Sequence, residues 1–161
     1  MDSNSLIIGL ILLAMCILPL YFFNLSRKRK QHRIMESLNN IAGSHNCRIS
    51  HFDVCGELVI GWDEERKFVF YHRKSNDITS ELYMDLAAVK GCKVIHSTRT
   101  VKLKDGNQKI TERVELNFSQ LNNGDEVKWE FFNEEFNTQL NGELQLAEKW
   151  SKMINNKLKV R

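Results

Sequence analysis

The sequence predicts an α+β fold: an N-terminal transmembrane helix, then an antiparallel β-barrel or sandwich of about seven strands closed by a C-terminal α-helix. Three patterns support this prediction. Residues 6–23 form an uncharged apolar run. Apolar and polar side chains alternate repeatedly between about 49 and 133, which is typical of strands with one buried face. From Asn141 onward, apolar residues recur at helical spacing instead.

These patterns divide the chain into three segments. Residues 1–26 are the predicted anchor, residues 27–47 a basic juxtamembrane segment with a short amphipathic helix, and residues 48–161 the β domain. The 161 residues include only one proline and eight glycines, which argues against a long disordered linker.

The N-terminal apolar run is long enough to cross a bilayer. Residues 6–23 read LIIGLILLAMCILPLYFF and reach roughly 27 Å as a helix, close to the ~30 Å hydrocarbon core. A cleaved signal peptide or lipoprotein signal is the alternative. The N-terminal MDSNS has no net positive side-chain charge, no A-x-A site follows the run, and Met15 is too large to precede a lipidated Cys16. We therefore expect an uncleaved helix.

A basic cluster directly after this run predicts its orientation. The cluster consists of Arg27, Lys28, Arg29, Lys30 and Arg33. By the positive-inside rule, the N-terminus faces out and the following domain lies in the cytoplasm, at the inner (plasma) membrane of the cell. These side chains are expected at the membrane surface, either as topology determinants alone or also as ligands for anionic lipids.

The charge outside this cluster is nearly balanced. The formal net charge is +3, but without the five cluster residues the chain has 18 basic side chains, against 19 acidic ones beyond Asp2. A nucleic-acid binder should carry excess positive charge on its folded domain, so no nucleic-acid partner is expected. The domain cysteines Cys47, Cys55 and Cys92 are odd in number, which suits a reducing cytoplasm.

The elements of the domain follow in order. Residues 31–46 predict a short amphipathic helix because Ile34, Leu38, Ile41 and Ala42 recur at helical spacing, and its apolar stripe could pack on the domain or on the bilayer. The strand candidates span residues 49–54, 57–62, 67–73, 81–86, 92–103, 109–121 and a seventh segment from about 127.

Turn motifs and a final amphipathic segment complete this order. Asp63-Glu64-Glu65-Arg66 and Asp105-Gly106-Asn107 predict hairpin turns. The last segment has an apolar stripe at helical spacing, formed by Leu144, Ala147, Trp150 (or Met153), Ile154 and Leu158. Its Leu144, Trp150 and Ile154 could close the open end of a bent sheet.

Three stretches in this order resemble the pleckstrin-homology-like (PH-like) fold of small bacterial membrane-tethered proteins. They are ELVIGWDEERKFVFYH, SELYMDLAAVKGCKVI and LQLAEKWSKMINNKL, and the resemblance covers roughly residues 48–160. It implies a non-enzymatic module that binds lipid headgroups or protein segments. Lipid-binding members carry several Lys and Arg residues on the first hairpin, whereas the first clear turn here carries Asp63, Glu64 and Glu65. A phosphoinositide-type ligand is therefore not expected.

His45, Cys47, His51 and Cys55 are the most metal-like group in the sequence. If residues 49–55 form a strand, His51 and Cys55 share a face but lie about 13 Å apart. Zinc needs its ligands ~2.0–2.3 Å from the ion, so these two side chains could not share one. Neither a metal nor another cofactor is expected.

Nucleophilic catalysis has little support in the sequence. His72 and His96 lie in strand candidates, and either could in principle partner a cysteine in space. The sequence contains no Walker loop, G-x-G-x-x-G, H-E-x-x-H or G-x-S-x-G motif. We therefore do not expect an enzyme.

These observations predict a membrane-tethered binding or scaffold module that docks a protein partner at the cytoplasmic face. Its bilayer contact is residues 6–23, and its candidate binding edge is Trp62, Arg66 and Lys67, with Trp62, beside a turn, the tryptophan expected to be exposed. One sheet edge, or the groove beside the closing helix, would accept a peptide of the partner by strand addition. The alternative is a structural or assembly subunit of a membrane complex, acting through its transmembrane helix.

Overall fold

The structure, a computed structural model, describes residue 15 and residues 35–75, 78–103, 106–121, 126–137 and 139–159. The predicted membrane span, apart from Met15, and the basic cluster from Arg27 to Arg33 lie outside these residues. Within them, no helix is both long and apolar enough to cross a bilayer.

The described residues form seven strands, a 3₁₀ turn and two helices. Helix α1 covers residues 35–44. The other elements are β1 His51–Cys55, β2 Leu58–Asp63, β3 Phe68–Ser75, β4 Ile78–Asp85, the 3₁₀ turn Leu86–Ala88, β5 Val89–Leu103, β6 Gly106–Gln120, β7 Glu126–Asn133 and helix α2 Glu143–Lys159. The α+β class, the seven antiparallel strands and the C-terminal helix are confirmed.

The strands form two antiparallel sheets rather than a closed barrel. Sheet 1 has the order β1-β2-β3-β4 and sheet 2 the order β5-β6-β7, and no described strand of one pairs with a strand of the other. The barrel form of the prediction is therefore wrong. The chain changes sheets through the 3₁₀ turn, where the Asp85 side chain accepts a hydrogen bond of 2.7 Å from the Ala87 N–H. This capped turn ends β4 and lets β5 start a new sheet.

The main core lies between the two sheets and α2. Both sheets and the helix contribute fully buried aromatic side chains, including Tyr71, Phe118, Trp129 and Trp150. Burying each large ring removes some 150–250 Å² from water, so these residues dominate the energy of the core. Trp150, which the sequence places on the apolar stripe of the last segment, is confirmed as a core residue.

Helix α2 is also held by polar contacts on two strands. Ser151 donates to the Cys92 carbonyl at 2.9 Å, and the Asn155 amide oxygen accepts from the Cys92 N–H at 3.0 Å. On β1, Asp53 accepts hydrogen bonds from the Trp150 indole at 2.9 Å and from Lys149 at 2.7 Å. These bonds supply partners to strand groups and fix the helix against β1 of sheet 1 and β5 of sheet 2.

Helix α1 covers the outer face of sheet 1. Its Leu38 and Ala42 are buried, as are Val59 and Phe70 on the strands below. These four residues do not belong to the main core and are called the outer core here. Strand β2 consequently has all six of its residues buried. The apolar stripe of this helix packs on the domain, which was one of its two predicted positions.

Candidate functional site

A cavity of about 190 Å³ lies between the β2–β3 turn, the 3₁₀ turn and the end of α2. Side chains from these three distant parts of the sequence form it, and we call it the α2 groove. Its lining residues are Trp62, Asp63, Glu64, Lys67, Leu86, Lys157 and Leu158. Two of the three residues of the predicted binding edge therefore line one concave surface.

The Asp63 carboxylate organises the turn on one side of the α2 groove. One oxygen accepts from the Glu65 N–H at 2.9 Å and the Arg66 N–H at 3.1 Å, the Asx-turn geometry that Asp favours. The other oxygen accepts from the Arg48 N–H at 2.8 Å and so ties the approach to β1 to the same turn. Lys67, the last turn residue, has a left-handed backbone with φ 59°.

These three amide donors also decide the charge of Asp63. Burial alone raises the pKa of this carboxyl, but the hydrogen bonds from Arg48, Arg66 and Glu65 outweigh it and bring the pKa below its ordinary value. Asp63 is therefore a carboxylate at neutral pH. Because its oxygens are occupied by backbone amides, its role is to shape the turn rather than to exchange protons.

The apolar floor of the α2 groove contains Trp62, which is only 8% exposed. The expectation that Trp62 stands exposed at an edge is wrong, because neighbouring rings cover it. The Trp150 ring lies edge-on at 5.7 Å and the His51 ring at 6.3 Å between centroids. The Trp62 indole N–H is buried and lacks a hydrogen-bond partner within the described part of the chain.

The rim of the α2 groove carries balanced charge. Lys157 forms an ion pair with Glu64, which bridges α2 to the turn. The Lys157 ammonium also lies 5.5 Å from the centre of the Trp62 ring, within cation–π range. With Lys67 and Asp63, the lining has two cationic and two anionic side chains. Such a surface gives an anionic headgroup little net attraction.

The remaining predicted site residues lie elsewhere. Arg66 is exposed in the same turn but outside the groove lining. The proposed membrane-surface residues, Arg27, Lys28, Arg29, Lys30 and Arg33, fall outside the described residues.

The metal-like histidines have aromatic partners instead. The His45 ring lies 3.9 Å from the Tyr83 ring, and the His51 ring lies 5.9 Å from that of Trp150. Across the residues that the structure describes, no group of three or more His, Cys, Asp or Glu side chains could hold a metal ion.

The three cysteines of the described domain are held as thiols by their surroundings. Burial raises the pKa of Cys47 and of Cys55, and it raises the pKa of Cys92 to about 12. A thiol is a poor nucleophile compared with a thiolate. The two histidines considered as partners for a cysteine have other neighbours. His72 lies 3.3 Å from the Glu81 carboxylate, and His96 contacts the Thr111 hydroxyl at 2.9 Å.

The prediction of the binding edge missed Leu86, Lys157 and Leu158. Leu158 was predicted on the apolar stripe of α2, one turn beyond Ile154, but it was not assigned to the binding edge. Lys157 and Leu86 could not have been assigned, because their contacts depend on how α2 and the 3₁₀ turn meet the β2–β3 turn.

Comparison of the chain with family models, with curated proteins and with solved structures yields no match. The contacts and shape of the α2 groove are therefore the structural basis for proposing a function.

Proposed function

We propose that this protein is a membrane-tethered, non-enzymatic binding module that docks a short segment of a protein partner in the α2 groove. The observation that carries the proposal is the pairing of an apolar floor with a charge-balanced rim at the end of α2. Trp62, Leu86 and Leu158 supply the floor, while Lys67 and the Lys157–Glu64 pair supply the rim.

The size of the α2 groove supports a peptide side chain as its occupant. Pockets for small molecules and cofactors usually measure ~300–1,000 Å³. A cavity of about 190 Å³ accommodates one or two apolar side chains of a docked segment. The polar groups on its rim can then pair with that segment's backbone or charges, as interface rims commonly do.

The order of the elements supports a PH-like fold for this domain. The resemblance implies about seven antiparallel strands followed by a closing C-terminal helix, and the seven antiparallel strands in two sheets followed by α2 agree with that order. Such domains usually bind rather than catalyse. The three backbone amides that bind Asp63 fix the shape of the turn that lines the α2 groove.

The membrane tether belongs to the same proposal and follows from residues 6–23 and the basic cluster. Residues 24–34, eleven in number, join the proposed span to the first helical residue of α1. Even fully extended, a segment of this length reaches at most about 40 Å. Such a tether keeps the α2 groove near the inner leaflet and raises its effective concentration toward membrane-bound partners.

Site-specific photo-cross-linking in intact cells tests the docking site. A photoreactive residue replaces Lys67 on the rim of the groove. As a matched control, the same residue replaces Thr100, which is also exposed but lies on β5. We expect a discrete adduct from position 67 and none of the same mass from position 100. Equal labelling from both positions would contradict docking in the α2 groove.

Two further variants separate docking from assembly through the anchor. Leu158→Ser removes apolar floor at a half-buried position, so we expect it to abolish the position-67 adduct while the protein stays folded. Exchange of residues 6–23 for an unrelated transmembrane helix should leave the adduct intact. If the adduct is lost when the anchor is exchanged but survives Leu158→Ser, the protein acts through its transmembrane helix, as the assembly alternative states.

A further inference from the structure

We propose that two copies of this chain associate through β4, so that two four-stranded sheets join edge to edge. Three features of the described residues support this pairing: an edge strand with exposed apolar side chains, a strand sequence that is complementary to itself, and the position of α1. The link to a shared membrane also rests on the proposed anchor.

Strand β4 has one free edge. It pairs with β3 only, and within the described residues its other edge has no partner strand. Its Ile78, Leu82 and Tyr83 are 59%, 36% and 52% exposed. An exposed edge with apolar side chains readily accepts another strand, and protective charges are few here. This edge is therefore the most suitable place on sheet 1 for strand addition.

The sequence of β4 is complementary to itself in one register. In an antiparallel pair, directly opposite residues point to the same face of the sheet. When two copies of one strand pair through a two-fold axis, opposite residues must therefore be an even number of positions apart. One residue then lies opposite its own copy. Centring the pair on Leu82 places Leu82 opposite its own copy, Glu81 opposite Tyr83, and Thr79 opposite Asp85. This register joins seven residues from each strand and brings no like charges into opposition.

The neighbouring registers are worse. Centring the pair on Glu81 sets two carboxylates opposite each other, which is destabilising. Centring it on Ser80 leaves only residues 78–82 of β4 paired and excludes Tyr83 from the junction. The Leu82 register is therefore the one the sequence favours.

The position of α1 makes this partner compatible with a membrane. The His45 ring, just after α1, packs on Tyr83 at 3.9 Å and on Phe70 at 6.1 Å, both on the outer face of sheet 1. The two-fold axis that relates two antiparallel edge strands is perpendicular to the sheet. Both α1 helices therefore lie on the same face of the joined sheet. Two chains anchored in one bilayer share one orientation, and this pairing preserves it.

Cysteine cross-linking of the full-length protein in membranes tests the register. Three variants, Ser80→Cys, Glu81→Cys and Leu82→Cys, are made in a Cys16→Ser, Cys55→Ser background and oxidised mildly. Only position 82 brings the two new cysteines directly opposite, within the short Cβ separation that a disulfide requires. We expect its dimer yield to exceed that of position 80 about tenfold, because the copies of residue 80 lie four residues out of alignment.

The remaining cysteines report on folding in the same samples. Cys47 and Cys92 are buried, so they stay unreactive toward a maleimide in any folded variant. A Leu82→Cys protein with protected Cys47 and Cys92 but without a cross-linked dimer would overturn the proposal. A maximum at position 80 or 81, or a cross-link from position 82 to a different protein alone, would overturn it as well.

A charge substitution checks the same contact without cysteines. Leu82→Lys places two cations opposite each other, whereas Ile78→Lys changes a more exposed residue of the same strand that lies outside the paired stretch. Photobleaching of a C-terminal fluorophore in membranes should show two steps for wild type and Ile78→Lys, and one step for Leu82→Lys. These readouts use no α2-groove residue, so their failure would leave the docking proposal standing, and the reverse also holds.

Discussion

Sheets 1 and 2 differ in how many of their faces are covered. In sheet 1, the central strands are buried on both sides, by the main core and by α1. In sheet 2, only the half of the β5–β6 hairpin near α2 faces the core, and residues 98–100 with 106–109 at its far end are exposed. The same class of antiparallel strand therefore serves as an interior layer in one sheet and as a projecting ribbon in the other.

This difference shows in the sequence patterns of the strands. Strand β6 alternates through Val114, Leu116 and Phe118, which face the core. Strand β2 reads LVIGWD, in which Leu58, Ile60 and Trp62 face the main core while Val59 belongs to the outer core. A continuous apolar run in an antiparallel strand thus indicates that something covers its second face.

The largest effect is expected from removing the Trp150 ring, which lies in the core between the two sheets. Trp150→Ala removes a fully buried indole from the main core, and such truncations cost about 3–5 kcal/mol. We expect both sheets to lose stability together in chemical denaturation followed by far-UV circular dichroism. Lys152→Ala, at an exposed position of the same helix, serves as the control and should change stability by less than about 0.5 kcal/mol.

A substitution under α1 should affect sheet 1 more selectively. A Cβ at Gly61 would lie 2.9 Å from Leu38 Cδ2 and 3.1 Å from the His51 carbonyl oxygen. Gly61→Val therefore overpacks the outer core and should cost about 1–3 kcal/mol. Hydrogen exchange should show faster opening of α1 and β2 than of β6.

The matched control for Gly61→Val lies on α1 itself. A Cβ at Gly43 would meet nothing within 4 Å, and alanine favours a helix. Gly43→Ala should leave stability unchanged or raise it by up to about 1 kcal/mol. Equal destabilisation by both variants would contradict the close packing of α1 on β2.

An intermediate effect is expected at the β2–β3 turn. Asp63→Ala removes the acceptor of three backbone N–H groups, and leaving such donors unpaired should cost about 1–3 kcal/mol at pH 7. The folded-state pKa of Asp63 is depressed, so its contribution is present above the unfolded pKa of about 3.9 and is lost as pH falls through the folded value. Urea titrations should show the wild-type advantage constant near neutral pH and shrinking below about pH 4.

The smallest effect is expected at the far end of sheet 2. Thr100 is exposed on β5 and pairs with Lys109. Thr100→Ala should change the free energy of unfolding by less than about 0.5 kcal/mol, as is usual for surface positions. A loss above about 1 kcal/mol in the same urea assay would show that the projecting ribbon packs against something, and the contrast between the sheets would fail.

Much of the domain could be predicted from local patterns. Alternation around Val114 and Val127 located strands of sheet 2, and the stripe through Leu144, Trp150 and Ile154 located α2, because each pattern reflects one covered face. The turn at Asp63–Arg66 followed from its polar residues. These features depend on neighbours in sequence, so a single chain reveals them.

Other features depend on how distant elements meet. The burial of Trp62 requires the Trp150 and His51 rings, and the separation of the sheets requires the capped turn after Asp85. The α2 groove combines the turn with Leu86 and Leu158, a contact that periodicity cannot encode. Of the candidate site, therefore, the sequence could indicate Trp62 and Lys67 but not the surface that unites them.

Protease accessibility of a C-terminal tag on the full-length protein tests the membrane-tethered role most directly. We expect the tag to resist protease added to intact spheroplasts, to be digested in inverted membrane vesicles, and to leave the membrane only with detergent. Digestion in intact spheroplasts would place the domain on the outer side, and recovery of the full-length protein in the soluble fraction would remove the tether. Either result would contradict a docking module held at the cytoplasmic face.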